Sequence, residues 1–303
     1  MERAVLLVSH GTVDDLDDLT GFVTNVRRGR PPSAELVSEL RRRYEAIGGQ
    51  SPLNATNALL ANKLERRLGV RVDWANRLWT PLVRDALAGL ARAGAKRVAI
   101  VPLAQYSAQV YADDARRGAE GTGLDLMCAV NWGRTPALCA AFAERISRVL
   151  AGETEISRAC VVMTAHSLPR FIVERGDPYE DEVRAAAGTV ASILRDRFGE
   201  DFRSTVAFQS QGLDGAPDGK SIEWLGPDLC TVLDQAKARG DRSVVFAPIG
   251  FLADHVEILY DLDIEARAMA QERGLSYSRA ASPNADADFV EVLAGVAGPL
   301  LMA

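Results

Sequence analysis

An α/β protein built from two similar halves, each a four-stranded parallel sheet flanked by helices, is what this sequence predicts, and three observations predict it. Short runs of strand length are apolar on both faces, as parallel strands covered on both sides must be. Stretches of helical periodicity alternate with them. The runs also fall into two sets of four, with a long helix and the polar segment AGETEISR (151–158) between them.

The first set of strands is expected at 4–9, 70–75, 97–103 and 124–130, and the second at 159–165, 204–210, 243–248 and 275–280. Helices are expected at about 33–47, 54–68, 80–94, 136–151, 178–198, 226–239, 254–273 and 284–301. Pro81, Pro136, Pro178 and Pro227 stand just inside four of these starts, where the missing N–H has no helical partner to lose. The division is placed near residue 150, giving halves 1–150 and 151–303, with the option that the last helix packs back on the N-terminal half.

Composition narrows the function. In 303 residues, 48% are hydrophobic and 25% charged, which describes a soluble globular chain with ample core. The formal net charge of -6 leaves no basic excess for nucleic-acid phosphates. Local basic clusters remain at RRGR (27–30), which needs a reason, and RRR (41–43), which reads as a solvated helix face. No run reaches the roughly 18 apolar residues of a membrane span. The start MERAVLLVSHGT enters a strand with no cleavage site, so a cytoplasmic location is expected. Cys128, Cys139, Cys160 and Cys230 lie in apolar segments without a C-x-x-C pair and are expected to be free thiols.

Ligands of open parallel sheets bind beyond the carboxyl ends of the strands. Here those ends read SHGT (9–12), AQYS (104–107), TAHSLP (164–169), QSQG (209–212) and PIGFLADH (248–255). All three histidines, His10, His166 and His255, lie at such ends or on the helix starts beside them. A neutral imidazole serves as base or metal ligand near pH 7, although a satisfied, half-buried histidine is the plainer account of His166. Ser167 lacks a G-x-S-x-G elbow, and no G-x-G-x-x-G, Walker A or H-E-x-x-H pattern occurs. The glycine-rich IGGQSPL (47–53) ends at a helix start, where an anion could dock or a plain loop could suffice.

The stretch FAPIGFLADHVEILYDLDIEARAMA (246–270) is unusual in its acids. On a regular helix Glu257, Asp261 and Glu265, four apart, share one face and repel one another. Either that face is solvated and the repulsion is screened, or a cation passes along it.

Taken with VRRGRPPSAELVSELRRRYEAIGGQSPL (26–53), PLAQYS (102–107), GDPY (176–179) and WLGP (224–227), these segments resemble the ferrochelatase family over almost the whole chain. That family inserts ferrous iron into a porphyrin during haem synthesis. The resemblance implies a chelatase-like fold of two Rossmann-type halves with the porphyrin cleft between them. It implies that His166 and Glu257 are catalytic and face the metal, and that Asp261 and Glu265 form a metal route. It implies further that Arg27, Arg28, Arg30, Ser51, Tyr106 and Ser107 hold the porphyrin, against surface solvation for each arginine. SHGT departs from the variants AYGT or NLGT of relatives, so His10 could touch porphyrin or iron, and it echoes the sirohydrochlorin chelatases.

Ferrous iron is then a substrate and no resident cofactor is expected. The four scattered cysteines argue against an iron–sulfur cluster. Expected partners are porphyrin and iron, with no nucleic acid, no membrane span and a monomeric chain. Peripheral membrane contact stays open, without a strongly basic amphipathic helix to demand it. The rival readings are a cobalt or iron chelatase for a sirohydrochlorin-type ring, a non-catalytic tetrapyrrole or metal carrier, and an ordinary α/β binding protein. Reversing the charges of Arg27 and Arg30 together is expected to weaken porphyrin binding about ten-fold or more, through loss of charge-assisted contacts to propionates. Porphyrin fluorescence titration measures this, and unchanged affinity assigns these arginines to the solvated surface.

Overall fold

The computed structural model describes residues 2–199, 203–211 and 222–303. The chain runs β1 (Arg3–Ser9), α1 (Leu19–Val26), α2 (Ala34–Ala46), α3 (Leu53–Leu68), β2 (Arg71–Asn76), α4 (Val83–Arg92), β3 (Arg97–Pro102), α5 (Ala108–Gly118) and β4 (Asp125–Cys128). It continues with α6 (Pro136–Leu150), β5 (Ala159–His166), α7 (Arg170–Glu174), α8 (Tyr179–Phe198), β6 (Arg203–Gln209), α9 (Leu229–Ala238) and β7 (Ser243–Ala247). Last come α10 (Val256–Leu259), a π turn (Asp261–Ala266), α11 (Arg267–Glu272), β8 (Ser276–Arg279) and α12 (Ala287–Met302).

Among the described residues eight strands form, all where the apolar runs lie, and they pair in parallel. One sheet has the order β2-β1-β3-β4, the other β6-β5-β7-β8. The central strands β1 and β5 are buried almost throughout. That burial on both faces is why they read as continuous hydrophobic runs.

Contact density divides the chain into two compact units. The first holds Met1–Trp132, Ala253–Val256 and Asn284–Ala303; the second holds Gly133–Leu252 and Glu257–Pro283. The change of unit therefore comes at Trp132–Gly133, earlier than residue 150, because α6 packs on α8 and β7. In the first unit Leu6, Val8 and Ile100 of the sheet meet Leu87 and Leu90 of α4 and Tyr111 of α5. On β1, β3 and α3 also packs α12, burying Phe289 and Leu293. In the second unit Val162 and Phe246 meet Leu233 of α9, Ile258 of α10 and Leu262 of the π turn.

The helices differ from expectation in several places. The segments α1 and α5 were not expected, since each buries few large side chains: α5 turns Ala108, Ala112 and Ala115 inward beside Tyr111. The short α7 buries none. Pro136 begins α6 and Pro178 caps α8, but Pro81 and Pro227 stand before their helices, which start at Val83 and Leu229. The helix expected across 254–273 is not regular. Its second segment is wound wider, with the Glu265 N–H donating to the Tyr260 carbonyl 3.0 Å away, five residues back.

Of the RRR run, Arg42 and Arg43 bond Glu39 on the same helix and hold its carboxyl well down, at about 2. Cys128 is half-buried, Cys139 and Cys160 are buried and Cys230 is exposed, all as free thiols. Burial pushes the Cys160 thiol up to about 11. Among the described residues, no helix is long and apolar enough to cross a membrane.

One glycine is required by close approach. The N–H of Gly250 donates to the Thr164 carbonyl at 2.9 Å, and a Cβ there would come within 2.5 Å of Ala165 Cα. Backbone cannot yield as a flexible side chain would. Gly250→Ala is expected to destabilise the fold by about 1–3 kcal/mol, read as a lower urea midpoint with unchanged slope.

Candidate active site

His166 ends β5 in register with Gln209, the last residue of β6. Its Nδ1 lies 2.6 Å from the Ser167 carbonyl oxygen. A carbonyl only accepts, so Nδ1 carries the hydrogen and, in the neutral ring, Nε2 presents its lone pair. That Nε2 is 3.8 Å from Oε2 of Glu257, on the first turn of α10. The gap exceeds a hydrogen bond, and the two side chains face each other across it. A lone pair and a carboxylate facing each other form a place for a proton or a divalent cation, and the two donors suit ferrous iron.

The backbones of this pair are fixed while the side-chain tips remain reachable, 38% and 34% exposed. The Tyr179 hydroxyl donates to the His166 carbonyl at 2.8 Å, and the Tyr179 N–H donates to Asp177 Oδ1 at 3.0 Å. This is the local role of the GDPY segment. Ser167 donates its N–H to the Gln209 carbonyl at 2.7 Å and its hydroxyl to the Leu225 carbonyl at 2.9 Å. Its hydroxyl is thus buried and committed to the frame. On the other side the Gln209 amide donates to the Glu257 carbonyl at 2.9 Å.

Along the same helical stretch, Asp261 is buried and its Oδ2 accepts the Ser210 hydroxyl at 2.7 Å. Glu265 is half-buried, while Asp263 turns to Arg279, which donates to both its carboxylate oxygens at 2.7 and 2.9 Å. A solvated acidic face does not describe this arrangement. Nor does a cage, since among the described residues no three His, Cys, Asp or Glu side chains come together to hold a metal. The acids stand as separate posts along a widened helix. Gly212 of the QSQG segment lies outside the described residues.

The other expected residues belong to the first unit. His10 is exposed just beyond β1, with Nδ1 3.4 Å from the Tyr111 hydroxyl, and the Arg77 guanidinium lies 5.6 Å from the centre of that tyrosine ring. Arg77 in turn pairs with Asp114. Ser51 is buried, and its hydroxyl oxygen accepts the Leu53 N–H at the start of α3. Tyr106 is buried, with Asn131 donating to its carbonyl at 3.1 Å, and Ser107 leads into α5. Arg27, Arg28 and Arg30 follow α1; Arg28 has a φ of 56° and Arg30 Nε donates to the Arg27 carbonyl at 3.3 Å. His255 sits half-buried with Nδ1 3.1 Å from the Ala253 carbonyl. Gln209, Ser210, Tyr179 and Tyr111 had no role assigned from sequence, although the first three lie in segments already singled out; their signal is position beside a strand end.

Two four-stranded parallel sheets with their chemistry at the carboxyl ends define a chelatase-like fold. The sirohydrochlorin chelatase SirB from Bacillus subtilis subspecies spizizenii, solved with cobalt, aligns over 100% of this chain and 96% of its own with a TM-score of 0.58, at 12% identity. The family is finer than the fold: residues 2–298 match Ferrochelatase, and the chain belongs to the ferrochelatase family, enzymes that insert iron into a porphyrin. A ferrochelatase from Thermus thermophilus is 36% identical over 318 aligned positions, covering 95% of this chain and 96% of its own. A coproporphyrin III ferrochelatase from Geobacillus sp. is 33% identical, covering 97% and 96%. These relatives favour a porphyrin over a sirohydrochlorin-type ring.

Tyr179→Phe removes the hydroxyl that holds the His166 carbonyl. It is expected to cost about 1 kcal/mol of stability, the net value of one buried hydrogen bond. Thermal or urea unfolding checks this, and an unchanged midpoint means the bond contributes nothing.

Proposed function

We propose that His166 and Glu257 carry out metal insertion, with coproporphyrin III as the preferred porphyrin. The observation that carries the reading is the approach of the His166 Nε2 lone pair to the Glu257 carboxylate at the end of β5. Insertion replaces two pyrrole N–H bonds by bonds to iron, so two protons must leave as one dication enters. The lone pair accepts a proton or binds iron, and the carboxylate stabilises the positive charge that results. Asp261 and Glu265 receive the hydrated cation before it reaches the pair, their repulsion screened by its charge.

Porphyrin binding falls to Arg27, Arg28 and Arg30 through propionates, with Ser51, Tyr106, Ser107 and His10 as further contacts. Coproporphyrin III has more propionates than protoporphyrin IX, which suits three neighbouring arginines, and the Geobacillus relative bears its name. Binding energy at the propionates can be used to bend the ring and aim its nitrogens at the incoming metal. His10 adds an imidazole able to contact iron in the product. Ferrous iron enters as substrate, and this reading requires no resident cofactor or cluster. The enzyme is proposed to act as a cytoplasmic monomer.

Anaerobic insertion of ferrous iron, run side by side with coproporphyrin III and protoporphyrin IX, tests the substrate. The first is expected to show the higher kcat/KM. His166→Ala and Glu257→Gln are each expected to lower kcat by about 10²–10⁴-fold with porphyrin affinity retained. Normal insertion by a folded His166→Ala variant overturns the assignment.

A further inference from the structure

Gln209 and Ser210 are neighbours in sequence, yet both reach the same helical stretch. In an extended strand, consecutive side chains point to opposite sides. Here the Gln209 amide donates to the backbone carbonyl of Glu257 at 2.9 Å, and the Ser210 hydroxyl donates to Asp261 Oδ2 at 2.7 Å. The chain manages this because Ser210 takes a φ of 59°, in the left-handed region that non-glycine residues seldom adopt. Such conformations persist where the surroundings over-determine them, and they gather at functional sites.

Gln209 shows a second uncommon feature. It is 2% exposed, and its orientation is fixed because a carbonyl partner must receive the N–H end. Its Oε1 is then buried with no hydrogen-bond partner among the described residues. An apolar side chain in that place would avoid the cost of a buried acceptor left unfilled. What the amide supplies in return is a tie between the end of β6, which faces His166 in register, and the turn that carries Glu257.

We propose that Gln209 and Ser210 are positioning residues, a two-point brace that sets Glu257 and Asp261 relative to His166 and presents the carboxylates to ferrous iron. The brace rests on the reading of Glu257 and Asp261 given above. Gln209 fixes the height of the first turn through its backbone. Ser210 engages one oxygen of the Asp261 carboxylate and thereby orients the other. Neither residue needs to touch the porphyrin or the reacting nitrogens.

The test uses the full chain, ferrous iron and a porphyrin, with the porphyrin dissociation constant as the control for folding. Ser210→Ala is expected to raise KM for iron about ten-fold, the size of one lost charge-assisted hydrogen bond, with porphyrin affinity unchanged. Ser210→Gly relaxes the backbone but also lacks the hydroxyl, and is expected to show the same loss. Ser210→Asn tolerates the left-handed region and keeps a donor, so it is expected to recover most of the iron dependence. Gln209→Leu is expected to lower kcat.

A native iron KM in Ser210→Ala, or recovery in Ser210→Gly, overturns the brace. Asp261→Ala separates the two levels. If it raises the iron KM while Ser210→Ala does not, the brace alone fails; if it too leaves the iron KM unchanged, the route along the carboxylates fails and the brace with it.

Discussion

Among the described residues every strand is hydrogen-bonded in parallel, and the central ones are buried on both faces, so the sheets offer chemistry only at their ends. That constraint places His166. It terminates β5, a strand buried at every residue but this last one, at the level where β6 ends in Gln209. Beyond this edge the chain must turn, and the polar backbone groups released by the turn need partners. The frame of the candidate site consists of those partners: Tyr179 on the His166 carbonyl, the Gln209 carbonyl on the Ser167 N–H, and the Gln209 amide on the Glu257 carbonyl.

The same arrangement explains how an imidazole and a carboxylate stay 3.8 Å apart, beyond hydrogen-bond distance. Neither side chain has to hold the other, because each backbone is tied independently to the sheet edge. The tips keep partial exposure and can take up a proton or an ion. Asp261, one turn on, is placed differently: it is buried, and its Oδ2 accepts a serine hydroxyl. The widened turn carries these acids on a helix that no longer follows the regular period of 3.6 residues.

Much of this was legible in the sequence. The eight strands were, because burial on both faces leaves uninterrupted apolar runs such as AVLLVS and ACVVMTA. The segments that hold His166 and Glu257 also stood out, because they are specific in order and spacing, and the chain belongs to the family they resemble. Helix α5 was not, since its inward face consists mainly of alanines, whose hydropathy barely differs from a polar loop with one tyrosine in it. The π turn was not, because an extra residue in a helical turn leaves the amphipathic pattern of DLDIEARAMA almost unchanged while altering the hydrogen bonding. Gln209 and Ser210 were quoted in their segment but assigned nothing. Their role depends on a left-handed residue and a long-range pairing, which composition and periodicity do not encode.

The return of α12 to β1, β3 and α3 has a consequence for how the protein comes into being. On the ribosome the first four strands emerge early, but the apolar surface that Phe289 and Leu293 will cover stays bare until α12 has been made. The N-terminal unit is therefore the later of the two to close, although its sequence is made first.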